Sequence, residues 1–378
     1  MLKPRSTCGW KAFKRFDLTT SDEMSAISHK DARTLQALHQ QMPSQITIPA
    51  NPSVVGREEC QNHPFVSVVV CTLGSRGKSI ACLDSLLTQA CARCEIFVVL
   101  NGPYDDEFRQ EIAKHPVQFL HEARRGVCVA RNHAIPYTRG ELVAFVDDDV
   151  VIHTGWLHEV IRGFEDPSVG CVTGRVVPSG PAIYGLDRFD RYYASDRALS
   201  TWTLSVNEPN SYIRALADPT GFGCNMAFRR RFFEMCCTFP EDLGAGSFVG
   251  AGDEFYMFVQ VLKHGFRIHH TPHAIVTHFF EAGNQDQGPR ANQIYSAGVA
   301  LATKLFLEEP KLRTEALRWV FSGLKRRVMR VLFRRTIASE PQELLSPTEK
   351  IRAYLRGPYV YWKSRRLRKS TGKSIPAS

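Results

Sequence analysis

Between Phe65 and Asp149 the chain alternates short apolar, β-branched runs with helix-forming stretches, and few folds accommodate that rhythm. The runs "FVSVVVCT", "CEIFVVLN", "VQFLHE" and "ELVAFVDDD" are separated by "KSIACLDSLLTQA", "DDEFRQEIAKH" and "GVCVARNHAIPYTRG". A strand that is apolar at nearly every position is buried on both faces, so helices must cover it above and below. The expected class is α/β: a mostly parallel, Rossmann-like sheet with helices on both faces. In such sheets ligands bind beyond the carboxyl ends of the strands, where the strand order reverses.

Four strand ends therefore come into question. After the first, "CTLGSRGKS" at 71–79 offers two glycines, two serines, Arg76 and Lys78, which suit either an anion cradle or a solvated turn. After the second, "LNGPYDD" is a plain turn. After the third, "EARRGVCVARNHA" clusters Arg124, Arg125 and Arg131 beside a small-residue helix start. After the fourth stand Asp147, Asp148 and Asp149. Like charges behind a buried strand are costly unless a cation offsets them. Magnesium and manganese take oxygen ligands and are held by carboxylates together with substrate phosphates, so the triplet suits a divalent ion. Taken alone it better suits a solvated turn or a cap for the helix in "GWLHEVIRGF".

Composition narrows the classes further. A chain of 378 residues, 43% hydrophobic, can bury one large core or two ordinary ones. Its net charge of +10 suits anionic partners such as nucleotides, nucleic acid or a lipid surface. No RNP, zinc-finger or helix-turn-helix pattern is present, so nucleic acid is not expected. Eleven cysteines are irregularly spaced, and the one CxxC, Cys91 to Cys94, lacks a second ligand pair. They read as reduced thiols rather than a zinc centre. The N-terminus has no apolar signal core, and no run reaches the roughly 18 apolar residues of a membrane span. The expected location is cytoplasmic, with peripheral contact at the inner membrane face. Three zones follow: an N-terminal extension at 1–62, the α/β domain at 63–284, and a helical basic region at 285–378.

Five blocks in register carry a more specific signal: "VSVVVCTLGSRGKSIACLDSLLTQ", "EIFVVLNGP", "RRGVCVARNHAIPYTRGELVAFVDDDVVIHTGWL", "GFGCNMAFRRRFF" and "GAGDEFYMFVQVLKHGFRIHHTPHAIVTH". Together they resemble the family 2 glycosyltransferases of GT-A fold. The resemblance implies inverting transfer from a nucleotide-diphospho-sugar, with Mn2+ or Mg2+ on the diphosphate. It implies that Thr72 and Arg76 line the base and phosphate pocket and that Arg131 lies beside the nucleotide. Asp147 and Asp149 form the ends of the DxD motif. Asp149 is then the more direct metal ligand, and Asp147 or Asp148 contacts ribose or donor sugar. His278 joins Asp149 and Asp147 at the metal, and its imidazole tilts the choice toward manganese. Where the family commonly ends its second strand in an acid that reads the base, this chain has Asn101, which leaves the base open.

An inverting step needs a carboxylate to take the acceptor hydroxyl's proton. "GAGDEFYMFVQ" offers Asp253 and Glu254, in the reverse of the family's usual Glu-Asp order. Register to the following "HGF" points to Glu254 as the base, with Asp253 as the second candidate. In "DPTGFGCNMAFRR", Gly221, Gly223 and Asn225 are expected near the sugar. Tyr192, Tyr193 and Trp202 suit either ring stacking or core packing.

Beyond residue 285, "EALRWVFSGLKRRVMRVLFRR" gathers Leu317, Val320, Phe321, Leu324, Val328, Val331 and Leu332 on one helical face, amid Arg318, Lys325, Arg326, Arg330 and Arg334. A basic amphipathic helix over 314–335 suits either an anionic membrane surface or packing on the catalytic domain. With the basic tail at 361–374 it fits a glycan or lipid-linked acceptor. Two rival readings remain: a non-catalytic nucleotide-sugar-binding protein, and a nucleotidyltransferase, which would need carboxylate-held metal but no downstream acid pair.

Overall fold

The computed structural model describes residues 63–89, 93–179, 196–217, 220–235, 237–279, 287–332 and 345–371. The extension at 1–62, Cys91, Tyr192 and Tyr193 lie outside the described residues.

The alternation seen in the sequence is realised as β1 (Val66–Thr72), α1 (Arg76–Leu87), β2 (Cys94–Asn101), α2 (Asp106–Ile112), β3 (Gln118–Glu122), α3 (Val127–Ala134) and β4 (Leu142–Asp147). These four strands pair in parallel, β1 with β2 and β4, and β2 with β3. The two-residue period divides their side chains between two cores. Val69, Phe97, Val99 and Phe145 enter one, while Val68, Val70, Val98 and Val146 enter the other. Apolar residues of α1 and α2, among them Leu83, Leu86 and Phe108, join the second core.

The rest of the sheet comes from β5 (Val150–Ile152), β6 (Val169–Pro178), β7 (Trp202–Leu204), β8 (Asn225–Arg229) and β9 (Arg267–His278). Between them lie α4 (Trp156–Arg162), α5 (Ser211–Ala217), α6 (Arg230–Glu234) and α7 (Asp253–Lys263). The strand order is β3-β2-β1-β4-β8-β6-β9-β5, with β7 also on β9. This half departs from uniform parallel pairing: β4–β8, β6–β8, β5–β9 and β7–β9 are antiparallel, and only β6–β9 is parallel. The strand order reverses between β1 and β4, the place where an open α/β sheet leaves a crevice.

Four helices close the described chain: α8 (Gln287–Glu308), α9 (Arg313–Leu332), α10 (Pro347–Leu355) and α11 (Gly357–Thr371). Their basic composition set them apart in the sequence, yet they share the core of the sheet. Leu305, Leu312, Ala316, Val360 and Tyr361 belong to the apolar cluster that holds Phe145. The amphipathic face of α9 divides in two. Ala316 and Gly323 are buried and Val320 is half-buried, whereas Leu317 (42%), Phe321 (63%) and Leu332 (67%) stay exposed, with Arg318, Lys325 and Arg326 exposed around them.

Candidate functional site

A cavity of about 570 Å³ opens where β1 and β4 end, walled by the segments around Gly126 and Gly223, the start of α7, the end of β9 and the first turns of α8. Sheet register assembles most of it. Cys71 lies across the ladder from Asp147, which puts Thr72 beside the aspartate triplet. Val146 faces Asn225 in the antiparallel β4–β8 pair, so the residue preceding Asn225, Cys224, reaches the same strand end. Val150 faces His278, and the Phe279 N–H donates to the Asp149 carbonyl at 2.9 Å, so β9 delivers His278 to the triplet.

Arg131, projecting from α3 and only 3% exposed, is the electrostatic hub. Its Nη1 donates to Asp253 Oδ2 at 2.7 Å, and its Nη2 to Asp147 Oδ1 at 3.1 Å and to the Gly223 carbonyl at 3.0 Å. Burial works against its charge, but Asp253 and Asp147 outweigh it and hold the guanidinium more firmly protonated than usual. A Cβ at Gly223 would stand 3.1 Å from Arg131 Nη2, so a side chain there would push against the guanidinium. Arg131 thus carries an internal task, fastening the triplet to the acid pair, while it stays on the cavity wall.

The three aspartates differ in their surroundings. Asp148 Oδ2 accepts from Thr72 Oγ1 at 2.5 Å and from Ser79 Oγ at 3.3 Å. Burial, only partly offset by the Thr72 bond and reinforced by Asp149 and Asp147, raises its carboxyl to about 6. Asp149 is raised as well, chiefly by burial, with His278 opposing. Its Oδ1 lies 3.4 Å from His278 Nε2. The expected direct contact between Asp148 and donor hydroxyls therefore competes with a hydroxyl clamp inside the protein.

Which donors would hold a divalent ion follows from their chemistry. One ligand atom each from Asp147, Cys224 and His278 lie within 4.8 Å of one another, with Asp149 against the histidine. Carboxylate, imidazole and thiol in one such space fit a divalent cation. Cys224 was not anticipated; it sits inside "GFGCNMAF", where the glycines and Asn225 drew attention instead. Burial first, then Asp147 and Asp149, pushes its thiol well above the ordinary range.

Several expected contacts are corrected. Asn101 has its amide engaged within the protein: Nδ2 donates to the Glu122 and Arg124 carbonyls, and Oδ1 accepts from the Gly126 N–H, which ties the end of β2 to the loop after β3. Asn225 does not reach a sugar. It is 1% exposed, its Nδ2 donates to the Arg175 and Ala274 carbonyls, and its Oδ1 accepts from Trp156 Nε1. Arg76 lies away from the cavity wall, paired with Glu107 at 2.7 Å across the α1–α2 surface. Gly221 packs against Thr173, and Trp202 stacks on His270 at 5.2 Å beneath Arg197, neither of them on the cavity wall.

Two exposed cations, Arg125 and Arg290, do line the cavity wall. Arg125 is exposed there, and Arg290 of α8 donates to the Gly250 carbonyl at 3.2 Å and to Gln293 at 2.8 Å. Arg290 lies in a helix outside the five motif blocks, with no strand-end signal to single it out. Asp253 and Glu254 open α7 behind Gly252, whose φ of 96° only glycine adopts without strain. Asp253 is 5% exposed and held by Arg131, whereas Glu254 is half-buried on the cavity wall.

Residues 67–236 match the family described as Glycosyl transferase family 2. EpsH of Bacillus subtilis (strain 168) is 27% identical over 202 residues, 52% of this chain and 55% of that protein. The glucosyl-dolichyl phosphate glucuronosyltransferase of Haloferax volcanii is 25% identical over 175 residues, 44% of this chain and 53% of its own length. The chain thus spans about half the length of these curated relatives. Residues 1–349 of TarS from S. aureus share the fold at a TM-score of 0.50 and 14% identity, over 81% of this chain and 91% of that one. Over residues 67–236 the chain is thus similar to the family 2 glycosyltransferases, and its sheet has the GT-A fold.

Proposed function

We propose that the protein is an inverting glycosyltransferase that moves a sugar from a nucleotide-diphospho-sugar to a hydroxyl acceptor, with Glu254 as the base. One observation carries the reading: buried Arg131 bridges the aspartate triplet and the acid pair, so donor-side and acceptor-side acids share one cavity. A nucleotidyltransferase would have no use for the second pair. The same bridge separates the two acids by role. A proton taken by Asp253 would neutralise the nearer partner of a buried guanidinium, whereas Glu254 takes one at the cavity wall without that loss.

In this reading Asp147, Asp149 and His278 hold a divalent ion, which supplies charge neutralisation to the departing diphosphate. Arg125 and Arg290 flank the phosphates. Thr72 keeps Asp148 oriented, and Asp148 in turn orders the triplet. The acceptor is a lipid-linked glycan, for which there are two supports: the archaeal relative acts, by its name, on a glucosyl-dolichyl phosphate, and α9 carries an exposed apolar stripe edged by cations. Among the described residues no helix is long and apolar enough to cross a membrane, so contact with an anionic leaflet is peripheral in this proposal.

Thermal-shift measurements with nucleotide-sugars, with and without Mn2+, test the donor site, because a ligand that binds only the folded state raises the melting temperature. The reading is abandoned if no nucleotide-sugar stabilises the protein in the presence of the metal.

A further inference from the structure

Cys224 is a donor on the cavity wall that the proposed glycosyl transfer does not use. Buried cysteines mostly serve as small apolar packing, and six other cysteines are free among the described residues. What distinguishes Cys224 is its company. It is 4% exposed yet borders the cavity, and its sulfur lies within 4.8 Å of both an Asp147 oxygen and a His278 nitrogen. Ligands on one ion at bond lengths of about 2.0 to 2.3 Å stand roughly 3 to 4.5 Å apart. At the tetrahedral spacing of about 3.3 to 3.8 Å, atoms within 4.8 Å of one another close by at most about 1.5 Å to share a cation.

We propose that Cys224, Asp147 and His278 form a mixed sulfur, oxygen and nitrogen site that takes a thiophilic divalent ion of the Zn2+, Co2+ or Cd2+ class in preference to Mg2+. Hard carboxylate and water sites favour magnesium and calcium, imidazole favours zinc and its neighbours, and thiolate moves the choice further in that direction. The backbone holds the three donors from separate strand ends. Asp147 closes β4, Cys224 precedes β8 in the adjacent ladder position, and His278 closes β9. The thiol proton passes to solvent when sulfur takes the ion. A serine at this position would leave an oxygen, carboxylate and imidazole set and remove that preference. The proposal deepens the donor-site reading given above and rests on it only for the location of the ion.

The experiment is a Co2+ titration of the full-length, metal-free protein, followed by absorption. The expected result is a sulfur-to-cobalt charge-transfer band that saturates at one equivalent and is lost in Cys224→Ser. In that variant Zn2+ affinity falls by about tenfold or more, while Mn2+ affinity changes little. An unchanged band in Cys224→Ser, or no band in the wild type, overturns the proposal. Cadmium NMR of the wild type reports sulfur ligation directly, so a variant that fails to fold does not decide the outcome. A cadmium resonance in the range of sites with only oxygen and nitrogen ligands likewise overturns it. If Mn2+-dependent nucleotide-sugar stabilisation persists without the charge-transfer band, sulfur ligation alone is wrong. If that stabilisation is missing while the band appears, it is the glycosyltransferase reading that fails.

Discussion

At the scale of single residues, the site rests on a division of labour between neighbours. Glu254→Gln removes the proposed base and leaves Arg131 paired, so turnover should fall by about 10²- to 10⁴-fold, with donor-induced thermal stabilisation retained. Asp253→Asn leaves a buried guanidinium short of a partner and destabilises the fold by about 3–5 kcal/mol, visible in urea or thermal unfolding before any kinetics are run. Equal stability loss in both variants would contradict the assignment. Asp148 gives a pH signature. Its folded-state value, raised from 3.8 to about 6, means that the folded chain binds this proton more tightly than the unfolded chain. The stability it contributes is therefore complete below about pH 4 and is lost as pH rises through about 6. Metal-free wild type should gain melting temperature relative to Asp148→Asn as pH falls from 7 to 4.5, and divalent ions should compete with that proton.

At the scale of elements, helices and parallel strands were legible because a period of two with both faces apolar leaves little choice of class. What the sequence left open was which polar side chains face the cavity and which close it from behind. Asn101 and Asn225 both stand at strand termini in motifs that suggest ligand contact, yet each is occupied by internal partners, backbone groups for both and the Trp156 indole as well for Asn225. Three-dimensional neighbours decide this, and periodicity does not carry them. Arg290 and Cys224 were hidden for the opposite reason: one lies on a helix outside the five motif blocks, the other between two residues that drew the interpretation. Asn225→Ala strands two carbonyls and the Trp156 indole N–H, and should cost about 3 kcal/mol or more without changing the affinity for nucleotide-sugar in the surviving folded fraction. A large loss of donor affinity at unchanged stability would return Asn225 to the site.

At the scale of the whole molecule, charge and apolar exposure coincide on α9. Basic helices are ordinary, and so are helices packed on a domain; α9 is both, with its inner stripe in the core and Leu317, Phe321 and Leu332 facing outward among cations. Leu317→Asp together with Phe321→Asp should abolish flotation with anionic vesicles at low salt while leaving the melting temperature close to wild type. Added salt should weaken wild-type binding, because charge attraction to the leaflet is screened over about 10 Å at 0.1 M. Vesicle binding that survives the double substitution would move the contact elsewhere.

The position of β9 has a consequence in time. This strand carries His278 and pairs with β5, β6 and β7. During synthesis at about 5–20 residues per second, Asp149 is made on the order of ten seconds before its histidine. A nascent chain that has folded only its parallel half holds the aspartate cluster with no strand to complete it. If the proposed site holds its ion, metal capture is a late event, and a product that terminates before β9 should fold in part yet bind no ion. A truncation series assayed for Mn2+ binding would locate the length at which the site first forms.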